Sequence, residues 1–483
     1  TVKINLSNKF VAYYWLLSLP IVDKEFSVSS SDQIGTGPFI KNQSESNGTD
    51  IKLNKNVNYN FGTVKVDNVI LKYYPTLNDV LPDLENGDVN FVDYNFQPAS
   101  DSFASIADIT TGYGNTLEQE EIGINHQHPY IGTGELIPDG GVTNNNYEQA
   151  VLVRKAMSHA VNRTYITENI LDKTGVPAAT SMPIVSIGKD LSILPRNFSI
   201  QTARNYMVMA GFDYNNLGPE NSDSTFNKSF FNLTITASNT VANRMSYLSN
   251  YAKELQKIGI NVSTNFKGWG EILPQTYFYS GPGLVPIFDN GGYDLFGVSY
   301  SWAFDYNPYR TYADNGNCDT GNCDNFYNFD IYGNQSRISN LSKSINSELD
   351  YNIRMNLTKD LQKEMYDNLP IIPLYHPREL FAYSSNLKGF NLDSIVNVVP
   401  DWSGLEVVPP PLPTTSTTSI EPTSSSIITS SSSITTSTSE TDTSSKITET
   451  SKQNTSPLNI VSVMATFVFI IYSSTKVKNK IKH

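Results

Sequence analysis

The chain has 483 residues, 39% hydrophobic and 17% charged, and its 34 Lys and Arg against 47 Asp and Glu leave a formal net charge of −13. Such a length allows roughly two or three domains with cores of their own, and the acidic balance excludes a protein that coats nucleic acid, which needs a clustered basic face. Aromatic residues make up 11%, with 28 tyrosines, a supply suited to a surface that stacks on or hydrogen-bonds a ligand.

Residues 1–23 show no basic segment followed by an apolar run and a small-residue cleavage site. No signal peptide is therefore legible, so either a leader has been removed or the chain starts inside a longer protein. Further along, Val66 to Tyr74 is β-rich and stops at Pro75, Leu77 to Asn86 reads as a short helix despite Pro82, and Val89 to Val92 is strand-like. This is a βαβ unit. Tyr147 to Leu171 reads as one helix, with Leu152, Ala156 and Ala160 on a stripe that His159 borders. A second βαβ unit follows. In its strand, Phe231, Leu233 and Ile235 alternate with polar residues, and its helix carries Met245, Leu248, Ala252, Leu255 and Ile258 at three- and four-residue spacing. Gly259 ends that helix before the strand Ile260 to Val262. Alternating elements of this kind predict an α/β fold with a mixed or parallel sheet.

The usual catalytic constellations are missing. There is no His-Glu-x-x-His helix, no nucleophile elbow, no phosphate-binding Gly-Lys-Ser/Thr loop and no dinucleotide turn. His126 and His128 lack a third ligand and read as structural, so neither a metal nor another cofactor is expected. Glu118, Glu120 and Glu121 could hold a hydrolase carboxylate, but nothing fixes its partner. Cys318 and Cys323 sit in one loop and either form a disulfide that clamps it in an oxidising compartment or stand as two thiols. The exterior features below favour the disulfide. The Asp- and Asn-rich loop around them fails the calcium-loop pattern, with a misplaced Gly and no closing Glu.

The C-terminal end is different material. Residues 408–456 are mostly Pro, Ser and Thr, the composition of an extended, O-glycosylated stalk. Residues 457–475 are uncharged and largely apolar, and as a helix some 18 residues span about 27 Å, enough for a thin hydrocarbon core. Lys476, Lys478, Lys480 and Lys482 in the tail 476–483 would stay cytoplasmic. The expectation is a cell-surface protein held by one C-terminal helix. Twelve Asn-x-Ser/Thr sequons, beginning at Asn5, Asn42, Asn47, Asn162, Asn197, Asn227, Asn232, Asn261, Asn334, Asn340, Asn356 and Asn454, agree with that placement.

Five stretches in order resemble the family 5 extracellular solute-binding proteins, the dipeptide and oligopeptide receptors of ABC importers. They are Ile34 to Phe39, Leu84 to Val89, Val153 to Arg163, Lys257 to Val262 and Pro370 to Tyr375. The resemblance implies a two-lobed, type II periplasmic-binding-protein-like α/β fold. On this pattern 1–127 and 376–404 form the first lobe, whose opening part normally precedes the position of Thr1, and 128–375 the second. It also implies a permease and ATPase as partners. Trp302 to Pro308 is similar to a family stretch in which an Asp holds the peptide α-ammonium, so Asp305 is the expected contact, or else a cap for the turn at Asn307-Pro308. Ser299 stands where some members carry an Arg for the peptide carboxylate. Trp269, Tyr300, Trp302, Tyr306 and Tyr309 would surround the cleft, where aromatic faces suit sugars as well as peptides. Members with oligosaccharide ligands are known among stalked archaeal surface receptors, which the C-terminus also resembles. A glycosylated surface-layer or adhesion protein without a ligand is the rival reading.

Overall fold

The structure is a computed structural model that describes residues 37–60, 62–92, 100–303, 305–313, 327, 335–389 and 404–408, together with the backbone of 458–461. Two sheets share one strand. The first holds β1 (Phe39–Lys41), β2 (Asp50–Lys55), β3 (Asn68–Lys72), β4 (Phe91–Val92) and β5 (Ile109–Asn115). The second holds β6 (Glu118–Ile124), β7 (Gly175–Pro177), β8 (Phe231–Ser238), β9 (Ile260–Lys267) and β10 (Leu295–Ser301). The fourteen residues of β11 (Ile371–Ser384) run through both. Its first half pairs with β6 and β7, and its second half with β4 and β5.

The chain therefore passes between the sheets twice, at Thr116-Leu117 and at Tyr375 to Arg378. The first passage comes earlier than residue 127, because β6 pairs with β10 along its whole length, Ser301 opposite Glu118 and Leu295 opposite Ile124. The passages are stitched together: Thr116 Oγ1 donates to Pro377 O at 2.9 Å, and Arg378 N to Thr174 O at 2.9 Å.

Both βαβ units form, with different neighbours. In the second lobe β8 and β9 are adjacent and parallel from Phe231 opposite Ile260 to Ser238 opposite Lys267, joined by α4 (Ala242–Gln256). Gly259, at φ +83, turns the chain between helix and strand, and a Cβ there would meet the Phe230 ring at 2.6 Å. In the first lobe α1 (Leu77–Glu85) follows β3 and buries Val80 and Leu84, but β3 and β4 do not pair. Between them lies β12 (Leu458–Val461), parallel to both. The membrane helix expected over 457–475 thus has four of its residues, 458–461, in a strand. Leu458, Ile460 and Val461 are residues that suit a pleated sheet, and as a strand their backbone satisfies two edges that would otherwise be open. No helix among the described residues is long and apolar enough to cross a membrane. The rest of that segment, the stalk, the basic tail and both cysteines lie outside the described residues.

The single helix expected over 147–171 needs correction. Here α2 (Asn146–His159) ends at Ala160, and Asn162 caps a new short turn by accepting from Tyr165 N at 3.0 Å. An aliphatic core joins α2 and α3 (Ile200–Ala210) to α4 and the second sheet. Two buried guanidiniums lock α2 and its cap to the entrance of β11. Arg154 donates to Ile131 O at 2.7 Å and to Asn368 O at 2.9 Å, while Arg163 donates to Pro373 O at 2.9 Å and Ser158 O at 3.0 Å. His126, buried, donates from Nε2 to Pro370 O at 2.9 Å, in the structural role expected of it.

Arg154→Met should strip two buried carbonyls of their donor and lower stability by about 3 kcal/mol, whereas Lys253→Met on the outer face of α4 should change it by less than about 0.5 kcal/mol. Urea unfolding of the two variants beside the parent chain checks the difference.

Candidate functional site

Strand direction determines where a ligand can sit. β8, β9 and β10 run toward the crossover, since β10 is antiparallel to β6 and parallel to β8. In the first lobe β4 is antiparallel to β11, and β3 runs with β4, so both also end at the crossover side. Carboxyl ends of strands from both lobes thus point toward the crossover, and the crevice outside such ends is the usual place for a ligand in open α/β sheets.

At the second lobe's side of the cleft, β6 presents four polar residues in succession, Glu118, Gln119, Glu120 and Glu121, and only Glu118 is exposed. A carboxylate removed from water needs partners or a proton, and the two buried ones solve this differently. Glu120 is met by Arg244, in the first turn of α4: Arg244 Nε lies 2.5 Å from Oε1 and Nη2 2.9 Å from Oε2. Tyr247 also donates its hydroxyl to Glu120. Burial by itself would lower the Arg244 pKa, but the Glu120 contacts outweigh it and raise it. Arg244 Nη2 also reaches the exposed Ser299 at 3.0 Å. Ser299, where some family members carry an arginine, therefore has one supplied from the neighbouring helix.

Glu121 meets no cation among the described residues. It accepts from Gln119 and from the Tyr327 hydroxyl, and burial pushes its pKa up to about 8, against the pull of those two donors. The neutral carboxyl heads a chain of hydroxyls: with the Tyr327 proton directed to Glu121, Tyr300 OH donates to Tyr327 OH at 3.0 Å, and Tyr277 OH to Tyr300 OH at 2.8 Å. Gly123 makes room for this, because a Cβ there would fall 2.3 Å from the Tyr327 ring.

The expected site residues divide. Tyr300, Trp302 and Tyr306 come together at the end of β10: the Trp302 ring lies 4.6 Å from Tyr306 and 6.0 Å from Tyr300, and Trp302 Nε1 donates to Gln119 Oε1 at 3.0 Å. Trp302 and Tyr306 are nonetheless buried, stacking on core rings rather than on open space, and Tyr306 OH is 2.7 Å from Ser181 Oγ. Trp269 stands apart, after the end of β9 and 36% exposed, its edge toward Phe296. Tyr309 is half-buried, its N–H held by Asn307 Oδ1 at 3.1 Å. Asp305, expected to face a ligand ammonium, is buried and receives the Arg354 guanidinium from α5 (Tyr351–Asn368), a cation of its own lobe.

Sequence reasoning missed Arg244, Tyr247, Tyr327 and Arg354. One signal was present: Arg244 lies four residues before Leu248, on the stripe that buries Leu248, Tyr251 and Leu255, and a charged residue on a buried stripe calls for a buried counter-ion. Among the described residues, no group of three or more His, Cys, Asp or Glu is placed to hold a metal ion.

Comparison with known proteins agrees with this architecture. Residues 1–322 match the family described as bacterial extracellular solute-binding proteins, family 5 middle, and the chain belongs to that family. It is 26% identical over 266 residues to the oligopeptide-binding protein AppA of Bacillus subtilis, a match covering 53% of this chain and 44% of that protein. The chain thus matches less than half of that relative's length. Among solved structures, the nickel ABC transporter of Bacillus halodurans shares the fold with a TM-score of 0.61 at 18% identity, over 78% of this chain and 71% of that one. HbpA2 of Haemophilus parasuis does so with a TM-score of 0.59 at 17% identity, over 77% and 64%. The two-sheet arrangement is accordingly that of type II periplasmic binding proteins.

Glu121 also gives the site a pH signature. Below about pH 4.5 its carboxyl is protonated folded or unfolded and contributes nothing; above that the unfolded chain ionises while the folded one keeps its proton to about 8. Stability therefore falls with rising pH across this window, by up to about 1.4 kcal/mol per unit. Glu121→Gln removes that penalty, so its stability relative to the parent should increase steadily from about pH 5 to 8. Buried His128 and His376, whose pKa values are lowered to about 4 and about 3, act in both proteins and cancel in the difference. A pH-independent difference in urea unfolding would contradict the assignment.

Proposed function

We propose that this chain is the extracellular receptor of an ABC importer and takes an oligopeptide into the cleft between the two sheets, passing it to permease and ATPase subunits. The observation that carries the reading is the facing of strand carboxyl ends across a paired crossover, a geometry in which one ligand can contact both lobes. A ligand that does so binds the closed arrangement better than the open one, and only such a difference can drive closure. The named relative that is an oligopeptide-binding protein supports the peptide class.

The placement of the aromatics also favours peptides over oligosaccharides. Trp302 and Tyr306 spend their faces on other core rings, so a sugar-stacking platform would rest on Trp269 and the half-buried Tyr300 and Tyr309. Hydrolysis has little support, because Glu120 is committed to Arg244 and Glu121 is buried among tyrosines. In this reading Arg244 and Ser299 meet polar groups of the peptide at the cleft wall, Glu118 offers the exposed carboxylate beside them, and Asp305 positions its segment through Arg354. Anchoring at the cell surface by the C-terminal segment belongs to the same proposal.

Thermal unfolding of the full chain with short peptides and with oligosaccharides tests it. A peptide at about a hundred times its Kd should add about 2.7 kcal/mol, a shift of a few degrees, and oligosaccharides none. Asp305→Asn should lower the unliganded Tm and keep the peptide-induced shift. A variant with an unchanged Tm and no peptide response would return Asp305 to the ligand ammonium, and a response to sugars alone would overturn the peptide reading.

A further inference from the structure

Nine of the twelve sequons, from Asn42 to Asn356 with Asn334 excepted, fall on described residues. Transfer of a glycan needs an exposed asparagine whose amide nitrogen is uncommitted, and a hydroxyl two residues on that can reach the same side chain. In a helix that hydroxyl is turned to another face, and in a strand, where it shares the asparagine's face, it fails when it is spent on another partner.

Seven of the nine fail on this count. Asn232 and Asn261 lie in β8 and β9, the Thr234 hydroxyl is 3.1 Å from Ser263 Oγ, and Asn261 Nδ2 donates to Asn232 Oδ1 at 3.0 Å. Asn340 and Asn356 lie within helices, where Ser342 Oγ and Thr358 Oγ1 donate to the carbonyls of Ile338 and Arg354. Asn162 is half-buried, and its Oδ1 is taken by Tyr165 N, one residue past its own Thr164. In the sequon of Asn197 the Ser199 hydroxyl caps α3, accepting from Thr202 N at 3.1 Å. Asn227 accepts from Asn221, and its Ser229 hydroxyl turns to Asn232.

The loop from β1 to β2 is different. Asn47 is exposed, and its Oδ1 accepts from Thr49 Oγ1 at 2.9 Å, from Thr49 N at 2.8 Å and from Asp50 N at 2.7 Å. The carboxamide is thus fixed by its oxygen alone, while Nδ2 has no hydrogen-bond partner among the described residues. Nothing would crowd a Cβ at Gly48, the middle position. Asn42, five residues earlier, has the matching bond from Ser44 Oγ at 2.8 Å, but it is half-buried and its side chain is engaged by the Glu45 carboxyl.

We propose that Asn47 is the site of N-linked glycosylation in the described part of this protein. The co-reactant is a lipid-phosphate-linked oligosaccharide. Asn47 Nδ2 forms the bond to its anomeric carbon, the bond from that carbon to the phosphate oxygen breaks, and its electron pair leaves on the lipid phosphate. One Nδ2 proton is lost to a base of the transferase. The Thr49 hydroxyl holds the carboxamide oxygen so that the nitrogen faces outward. The glycan then stands at the edge of the first sheet, beside the three-residue edge strand β1, where it also blocks pairing with another chain.

Mass spectrometry of tryptic peptides from the full chain, purified from its native envelope, tests this on the peptide Asn42 to Lys52. The expected result is a carbohydrate mass on that peptide, lost completely in Asn47→Gln and in Thr49→Val and kept in Thr49→Ser. An unmodified peptide in the native protein would overturn the assignment, and so would a glycan that survives Asn47→Gln, which would move the site to Asn42.

Discussion

Two neighbouring passages of chain, and nothing else in the described covalent structure, tie the two sheets together. Because β5 and β6 are separated only by Thr116-Leu117, and both pair with the one strand β11, the connection is a narrow ribbon with its hydrogen bonds already satisfied. Such a ribbon can bend without breaking a core, whereas each lobe on either side has an apolar core of its own. The direction of every other strand of the two sheets then follows, since each connects to β11 through a continuous series of paired strands. That constraint turns the carboxyl ends of both lobes toward each other and makes the cleft.

Within the second lobe the consequence is an accumulation of polar groups at the strand ends, each of which costs free energy to bury. The chain answers with a cation for Glu120, a retained proton for Glu121 and the Arg354 cation for Asp305. Removing one partner of a buried pair costs more than the pair contributes, so these arrangements fix geometry more than they add stability. The tyrosines around Glu121 do the same, since hydroxyls at 2.8 and 3.0 Å define the orientation of Tyr300 at the cleft.

Much of this frame was legible in the sequence. The alternating Phe231, Leu233 and Ile235, the stripe through Leu248 and Leu255 and the stop at Gly259 specify a βαβ unit by local periodicity alone, and the ordered motifs supplied the two-lobed class. What periodicity cannot show is which side chains meet across long separations. Arg354 reaches Asp305 from a helix 49 residues on, and Arg244 reaches Glu120 over 124; both looked like ordinary surface charges or a free ligand contact in one dimension. The residues read as a cleft lining split for a related reason, because Trp302 and Tyr306 are as apolar as they are aromatic and pack inward. The run from Leu458 is uncharged in either conformation, and the open gap between β3 and β4, invisible in the sequence, makes a strand of its first four residues.

The central claim is that a peptide closes the two lobes about the paired crossover. Small-angle X-ray scattering of the full chain, with and without a peptide that raises its Tm, measures this directly. The account predicts a smaller radius of gyration in the peptide-bound state, with an unchanged far-ultraviolet circular dichroism spectrum. Saturating peptide that leaves the scattering curve unaltered would contradict it.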